Sequence, residues 1–571
     1  MRSSFRLRLL ALALLTGLTP LFLFAGMAGA APAKGQFMIS AANPLAAKAG
    51  RDILEKGGSA IDAAIATQMV LTLVEPQSSG IGGGAFLLYF DQAKKKLQTY
   101  DGREKAPAAV TEDHFLHHDG SPKKFYEAVV GGGAVGVPGV VAMMYLAHQD
   151  HGILPWKDLF TPAIKLAWDG FPISERLFFL LDRDKYLKTK KAAAAYFYEA
   201  DGRAKPVGTI LKNPELAETL TRIANEGPAA FYEGNIARDI VATVTADETN
   251  PGLMGLADLK NYSALRRDPV CAGYRGNEVC GMGPPTSGGI TLLQILKILE
   301  TKDLGALAPF APETIHLVAE ASALAFADRS KYLGDADFVE IPVKAMLDAG
   351  YLKTRANLIP ADKTAIPYEP GTPAEKQGAL GLDDAVELPC TSHFSIIDKN
   401  GDAVSMTTSV ENVFGSRLMT HGFILNNQLT DFSFTPRTEE GPVANRIEPN
   451  KRPRSSMSPT MAFDGEGNLK LVLGSPGGSR IIGYVLEPLL GVLDWGMSMQ
   501  TAINMPHYVD RNSTLDLEKG TVLESRKDAL EAMGYKVSVR TLNSGLHGIL
   551  MTKDGYDGGA DPRREGIVLN K

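Results

Sequence analysis

The chain predicts an α+β layered fold, sheets covered by helices, on three observations. Strand-like alternation is concentrated in two regions, one near residues 85–102 and a longer one from 391 onward. Helical periodicity dominates between about 137 and 350, and no internal repeat interrupts the pattern. Composition suits a packed globule: 44% of residues are hydrophobic and 22% charged, without the charge runs or low-complexity tracts that keep a chain unfolded. At 571 residues the chain can bury one large core or several ordinary ones, so length fixes no domain count.

Taken in order, residues 1–30 stand apart. Arg2, Arg6 and Arg8 precede an apolar run from Leu9 to Phe24, and "AGMAGA" ends in a small-x-small site at Ala28-Gly29-Ala30. This is the pattern of an export signal cut after Ala30. The apolar run is shorter than the roughly 20 residues a membrane anchor needs, and no Cys follows it to carry a lipid. Loss of three arginines takes the formal charge from −6 to −9. A mildly acidic protein, periplasmic or secreted, has no electrostatic attraction to nucleic acid or anionic lipid. Neither nucleic acid nor, after signal removal, membrane is an expected partner.

"NPLAAKAGRDILEKGGSAIDAAIATQMVLTLV" reads as two helices. Leu45, Ala49, Ile53 and Leu54 make one apolar stripe, Gly57-Gly58 stops it, and Ser59 caps a second, Ala-rich and buried helix. After "EPQSSGIGGG", "AFLLYFDQAKKKLQTYDG" reads as two strands around a Lys-rich turn. "PGVVAMMYLAHQDHG" and "PETIHLVAEASALAFADRSKYL" read as helices. Export makes the three cysteines informative. A hairpin turning at Arg275-Gly276 places Cys271 directly opposite Cys280, and a disulfide is expected there; Cys390 is left over. Residues 361–389 form an aperiodic loop, after which strands prevail, with a helix at about 484–504 and a late αβ unit around "KDALEAMGYKVSV".

Glycine-rich strings invite a nucleotide-binding reading, since "GGGAVG" (Gly131, Gly133, Gly136) fits G-x-G-x-x-G and "GIGGGA" a looser form. "KKFYEAVV" before the first is a poor central strand, and nothing around it resembles a βαβ unit, so tight turns and close packing explain these glycines better. No paired histidine spacing suggests a metal and no G-x-S-x-G elbow occurs; neither metal nor cofactor is expected.

The strand beginning at Thr391 carries chemistry. If "TSHFSIID" and "DAVSMTTSV" pair across Lys399-Asn400-Gly401, Thr391 faces Ser409 to within one position, and cross-strand neighbours lie about 5 Å apart. A threonine alcohol needs a base, and its own α-amine serves if the preceding peptide bond is cut. Such an amine has a pKa of about 7.7 to 8.0, so much of it is neutral near working pH. General-base help of this kind is worth about 10² to 10⁴ in rate.

Over its length the chain resembles the γ-glutamyltranspeptidases, self-processing members of the N-terminal-nucleophile hydrolases. The matching stretches include "EPQSSGIGGGAFLLYFD", "DGREKAPAA", "GPPTSGG", "TSHFSIIDKNGDAVSMT", "LNNQLTDFS", "PNKRPRSSMSPT", "GSPGGSRII" and "GGADPRR". The resemblance implies a four-layer αββα sandwich and a precursor that cleaves itself between Cys390 and Thr391. The products would be a large subunit of residues 31–390 and a small catalytic subunit of 391–571, intertwined as a heterodimer. It implies that Thr391 is nucleophile for processing and for turnover of γ-glutamyl amides such as glutathione, with acyl transfer to water or an amine. Gly477 and Gly478 match the family's oxyanion hole. Arg103, with Ser455 and Ser456, matches the clamp on the substrate α-carboxylate, a task suited to a bidentate guanidinium. Gln428 and Asp431 match the α-ammonium pocket. Three departures stand out. Ser409 replaces a second Thr, and Glu411 an Asn found in some members. The segment between Ser433 and Pro449 looks shorter than the family's lid loop and lacks its aromatic gate, which predicts an open site and hydrolysis at least as strong as transfer. "NSGLHGI", at 543–549, departs from the family's Gln-bearing form without an evident physical reason. An acylase for glutaryl side chains on the same fold, and a binding protein that is never processed, are the competing readings.

Overall fold

The structure, a computed structural model, describes residues 36–373, 379–383, 385 and 390–571; the export signal expected at 1–30 lies outside the described residues. Two antiparallel sheets stack face to face. In the first, the strands run in the order Ile567–Asn570, Met38–Ala41, Ser392–Ile397, Ala403–Ser409, Gly84–Asp91, Lys96–Gly102, Leu265–Arg267. In the second the order is Gly555–Ala560, His547–Thr552, Leu469–Gly474, Thr460–Phe463, Asn277–Gly281, Val270–Tyr274.

Alternation along the strands decides what each face buries. Phe394, Ile396, Val404, Met406, Leu87 and Tyr89 share one core with the helices Pro44–Glu55 and Ala60–Val74. Their neighbours Phe86, Leu88, Phe90 and Ile397 turn the other way, toward Leu471, Leu473 and Ile549 of the second sheet. Helices Gly288–Leu299 and Ile481–Leu493 join the same core from beyond that sheet. The layers are helix, sheet, sheet, helix, the αββα sandwich. Helix Ala60–Val74 is buried at every position, which is why its sequence is apolar on all sides. Ser59 caps it as expected: its Oγ accepts from Asp62 N, and the Asp62 carboxylate accepts from Ser59 N in return.

The two hairpins follow the predicted register. Arg275 and Gly276 both have positive φ, the two-residue turn that suits twisted strands, and Cys271 pairs with Cys280 in a disulfide with Cα atoms 4.1 Å apart. Ala403 pairs with Ile397 and Thr408 with Ser392, so the same register brings Ser409 opposite Thr391. Close packing is seen within the "GGGAVG" string: a Cβ on Gly132 would lie 1.8 Å from Val244 O. One expectation changes. The helix expected at 484–504 is two, Ile481–Leu493 and Met499–Ile503, broken where Gly496 takes a left-handed φ of 62°. "KKFYEAVV", read from sequence as a poor central strand, contains a short helix, Phe125–Val129.

Candidate active site

Four strand ends meet at one edge of the sandwich. Thr391 precedes the strand Ser392–Ile397; Ser409 ends its hairpin partner; Arg103 follows Lys96–Gly102; and Gly478 lies just past the end of Leu469–Gly474 in the second sheet. His393 and Ser395 point between the sheets: a Cβ on Gly474 would strike the His393 ring, and Ser395 Oγ donates to His547 O. Continued alternation puts Thr391 and Ser409 at the rim of that layer. They open onto a small cleft that Arg103, Asp431 and Ser455 also line.

The hydroxyl geometry fixes the direction of the protons. Ser409 Oγ donates to Cys390 O at 3.0 Å and accepts from Glu411 N at 2.9 Å. Its one proton is thereby used, so in its contact with Thr391 Oγ1 at 3.2 Å the threonine is the donor. A proton leaving Thr391 thus meets an acceptor whose own proton already points at the carbonyl oxygen preceding Thr391. Two residues on from Ser409, Glu411 holds a φ of 75°, and its carboxylate accepts from Asn427 Nδ2.

The cleft's far wall is ionic. Arg103 is fully buried; its Nη2 donates to Asp431 Oδ2 at 2.5 Å and to Arg454 O at 2.8 Å, and its Nε to Pro453 O at 3.1 Å. The bidentate clamp expected from the sequence is therefore committed to the protein on one edge: among the described residues only Nη1 lacks a hydrogen bond. Gln428 Nε2 donates to the same Asp431 oxygen at 2.7 Å. Met457 N donates to Ser455 Oγ at 3.1 Å, leaving that hydroxyl's proton to donate. Arg329 Nη2 donates to Ser456 Oγ at 2.7 Å. Gly478 lines the cleft, with Gly477 just behind it at a φ of 145°, where a Cβ would lie 2.6 Å from the Tyr484 ring. Only glycine holds that left-handed backbone without strain. Of the residues singled out by sequence, Gly477 alone stands back from the cleft, apart from Cys390 and the distant disulfide.

Sequence reasoning missed the buried polar groups packed around the Cys390–Thr391 bond. Cys390 Sγ donates to Gln77 O at 2.8 Å, and burial pushes its thiol pKa up. Ser79 Oγ donates to Ser392 Oγ, which donates to the buried Glu75 carboxylate, itself raised by burial. Arg564, lowered to about 10 by burial, donates to Thr391 O at 2.8 Å and to Asn543 O at 3.2 Å. That contact gives the unusual "NSG" stretch a role in holding Arg564. Beside Arg103, burial raises Glu104 to about 8, and neither of its carboxylate oxygens has a hydrogen bond among the described residues.

The segment from Ser433 to Pro449 folds as a hairpin, Arg437–Thr438 against Gly441–Pro442. Its aromatic residue, Phe434, stacks on Phe115 with ring centroids 4.5 Å apart, and among the described residues no aromatic side chain lines the cleft.

Comparison with known proteins gives this geometry a family. The family model described as gamma-glutamyltranspeptidase matches residues 46–570. The chain is 37% identical to the glutathione hydrolase proenzyme of Bacillus subtilis strain 168, over 93% of this chain and 91% of the relative. It is also 37% identical to that of Escherichia coli K12, over 92% and 90%. A crystal structure of cephalosporin acylase from Bacillus halodurans superposes with a TM-score of 0.79 at 27% identity, covering 96% of this chain and 98% of that one. A family match over nearly the whole length, together with a threonine hairpin facing an arginine–aspartate wall, places the chain in the gamma-glutamyltranspeptidase family.

Proposed function

We propose that the protein is a self-processing γ-glutamyl hydrolase and transferase that takes glutathione and related γ-glutamyl amides. The observation that carries this reading is the meeting of the Thr391–Ser409–Cys390 hydroxyl chain with the Arg103–Asp431 wall in one cleft.

In processing, Thr391 Oγ1 attacks the Cys390 carbonyl carbon and gives its proton to Ser409, while Ser409 hydrogen-bonds the oxygen that becomes negative. The C–N bond breaks, the Thr391 nitrogen leaves as an amine after gaining a proton, and an ester joins Cys390 to Thr391 Oγ1. Water hydrolyses the ester to a Cys390 carboxylate and a free Thr391. The products are residues 31–390 and 391–571, the 1–30 signal being removed on export. Among the described residues no helix is long and apolar enough to cross a membrane.

In turnover the free α-amine takes the proton of the Thr391 hydroxyl as it attacks the substrate γ-carbonyl. Gly477 and Gly478 supply backbone N–H groups to the oxyanion, one such donor being worth about 2.7 to 4 kcal/mol. The amine of the leaving group departs with a proton, and water or a second amine then takes the γ-glutamyl group from Thr391. Arg103, Ser455 and Ser456 receive the α-carboxylate; Asp431, Gln428 and Glu411 receive the α-ammonium.

A glutaryl acylase is the second reading, because a cephalosporin acylase shares the fold. A glutaryl group has no amine to offer Asp431, so the Arg103–Asp431 pair favours the glutamyl reading. A denaturing gel of purified protein, N-terminal sequencing of the smaller band, and rates on γ-glutamyl against glutaryl anilides test the proposal. It predicts a band starting at Thr391 and a preference for γ-glutamyl. An uncleaved active protein, or Thr391→Ala protein that still cleaves and turns over glutathione, refutes it.

A further inference from the structure

Of the eight non-glycine residues with left-handed φ among the described residues, four fall in one short stretch: Glu411 at 75°, Phe414 at 60°, Arg417 at 67° and His421 at 49°. An L side chain rarely adopts such a backbone, and it persists only where the surroundings over-determine it; residues held this way cluster at working sites. The first of the four carries a carboxylate into the cleft beside Gln428 and Asp431.

Arg417 holds this turn from within. Its side chain is 2% exposed, and that of its partner Asp184 is 6% exposed. Nη2 and Nε donate to Asp184 Oδ2 at 2.8 and 3.2 Å, and Nη1 donates to Gly415 O at 2.7 Å. Nη2 also donates to Asn412 Oδ1 at 2.8 Å. Asp184 is itself fixed, because its Oδ1 accepts from Leu187 N at 2.7 Å. One guanidinium therefore ties both arms of the turn to the end of the helix Glu175–Arg183.

From Asn412 the path to Glu411 takes two hydrogen bonds. Asn412 N donates to Asn427 Oδ1 at 2.9 Å, which decides which way round the Asn427 amide lies. Its nitrogen is thereby turned toward Glu411 Oε2 and Thr430 Oγ1, and it donates to both. Arg417 thus sets Asn412, Asn412 sets Asn427, and Asn427 holds the Glu411 carboxylate.

We infer that Arg417, braced by Asp184, is a positioning residue that keeps Glu411 aimed at the α-ammonium of a γ-glutamyl substrate, and so helps select glutamyl over glutaryl chains. The inference rests on the γ-glutamyl reading of the cleft. Arg417 stands behind the cleft rather than lining it, and its side-chain hydrogen bonds go to Asp184, Gly415 and Asn412. Its removal therefore acts on binding of the head group and leaves the chemical step alone. Glu411, Asn412, Arg417 and Asn427 all follow the Cys390–Thr391 bond, so a cut there leaves their path on one piece of chain.

The test uses full-length protein carrying Arg417→Gln, Asp184→Asn or Arg417→Lys; the lysine keeps the charge but not the fork that serves Asp184 and Asn412 together. Each is checked for cleavage on a denaturing gel and then assayed with γ-glutamyl and glutaryl p-nitroanilides. Cleavage is expected in all three. For Arg417→Gln and Asp184→Asn, KM for the γ-glutamyl anilide should rise about tenfold with kcat held within about twofold, the mark of lost binding shared by ground and transition states. KM for the glutaryl anilide, which carries no ammonium, should move by less than about twofold, and Arg417→Lys should recover part of the γ-glutamyl loss. Coupling decides between positioning and general support. In protein already carrying Glu411→Gln, Arg417→Gln should raise KM by no more than about a further twofold, because the carboxylate it acts through is gone. The inference is overturned by an unchanged KM, by equal losses on the two anilides, or by effects of the two substitutions that simply multiply. Failure of all three variants to cleave overturns it too, by making Arg417 a folding residue. Wild-type protein that ignores the γ-glutamyl anilide overturns the functional reading instead, and that result needs no variant to see.

Discussion

Replacing Ser409 with Ala should arrest maturation while leaving the sandwich folded. The hydroxyl makes three contacts: it donates to Cys390 O, accepts from Thr391 Oγ1 and accepts from Glu411 N. Loss of a donor aimed at a developing oxyanion costs about 2.7 to 4 kcal/mol, or 10² to 10³ in rate. Loss of the acceptor for Thr391 adds to this, and leaving Glu411 N without a partner costs about 1 to 3 kcal/mol of stability. The cleavage half-life of freshly purified precursor, followed on a denaturing gel, should lengthen by at least about 100-fold. Ser409→Thr keeps the hydroxyl and should cleave within about tenfold of the parent, the usual scale of a tolerated methylene. Ala protein that cleaves as fast as the parent would refute the proton assignment; Thr protein as slow as Ala would show that shape, not the hydroxyl, matters.

Asp431→Asn removes the buried partner of Arg103 and the countercharge for an ammonium. Breaking such a pair costs roughly 2 to 5 kcal/mol, so kcat/KM on the γ-glutamyl anilide should drop roughly 30-fold or more, with a smaller change on the glutaryl anilide. Burial holds the imidazoles of His393 and His547 below their ordinary value, His547 at about 4. Both are neutral in the fold, so stability is unaffected above pH 6.5 and lost as pH falls from 6.5 toward 4, by about 3 kcal/mol for His547. Urea midpoints at pH 7.5 and 4.5 measure this, and His547→Gln should flatten the difference. Closing a loop between cysteines nine positions apart is worth up to about 2.6 kcal/mol by chain entropy, so Cys271→Ser with Cys280→Ser should lower Tm. Denatured, unreduced parent protein should alkylate at Cys390 alone. With no aromatic side chain lining the cleft among the described residues, glutamate release should at least equal glycylglycine conjugation at neutral pH; dominant transfer would contradict the open site.

Local rules carried the parts of the molecule that depend on near neighbours. Turn residues at Arg275-Gly276 and Asn400-Gly401 set both hairpin registers, which is why Cys271–Cys280 and Thr391–Ser409 could be paired by counting. Cap chemistry at Ser59 worked for the same reason. The residues proposed to bind the substrate head came from family resemblance, since Arg103 meets Asp431 across 328 positions and no periodicity spans that distance. What stayed hidden was what works through backbone oxygens or distant carboxylates. Gln77 serves Cys390 through its carbonyl, Asn543 holds Arg564 the same way, and Asp383 is held by Asn445 and Arg454 far along the chain. The helix expected at 484–504 failed because a single Gly496 outweighs the apolar pattern on either side of it.

The order of strands in the first sheet has a consequence for the life of the enzyme. Met38–Ala41, from before the proposed cut, lies between Ile567–Asn570 and Ser392–Ile397 from after it, and Gly84–Asp91 closes the far side of Ala403–Ser409. Neither piece could leave without unzipping ladders on both sides of itself. Dilution should therefore not separate the halves, and differently tagged molecules mixed together should not trade them.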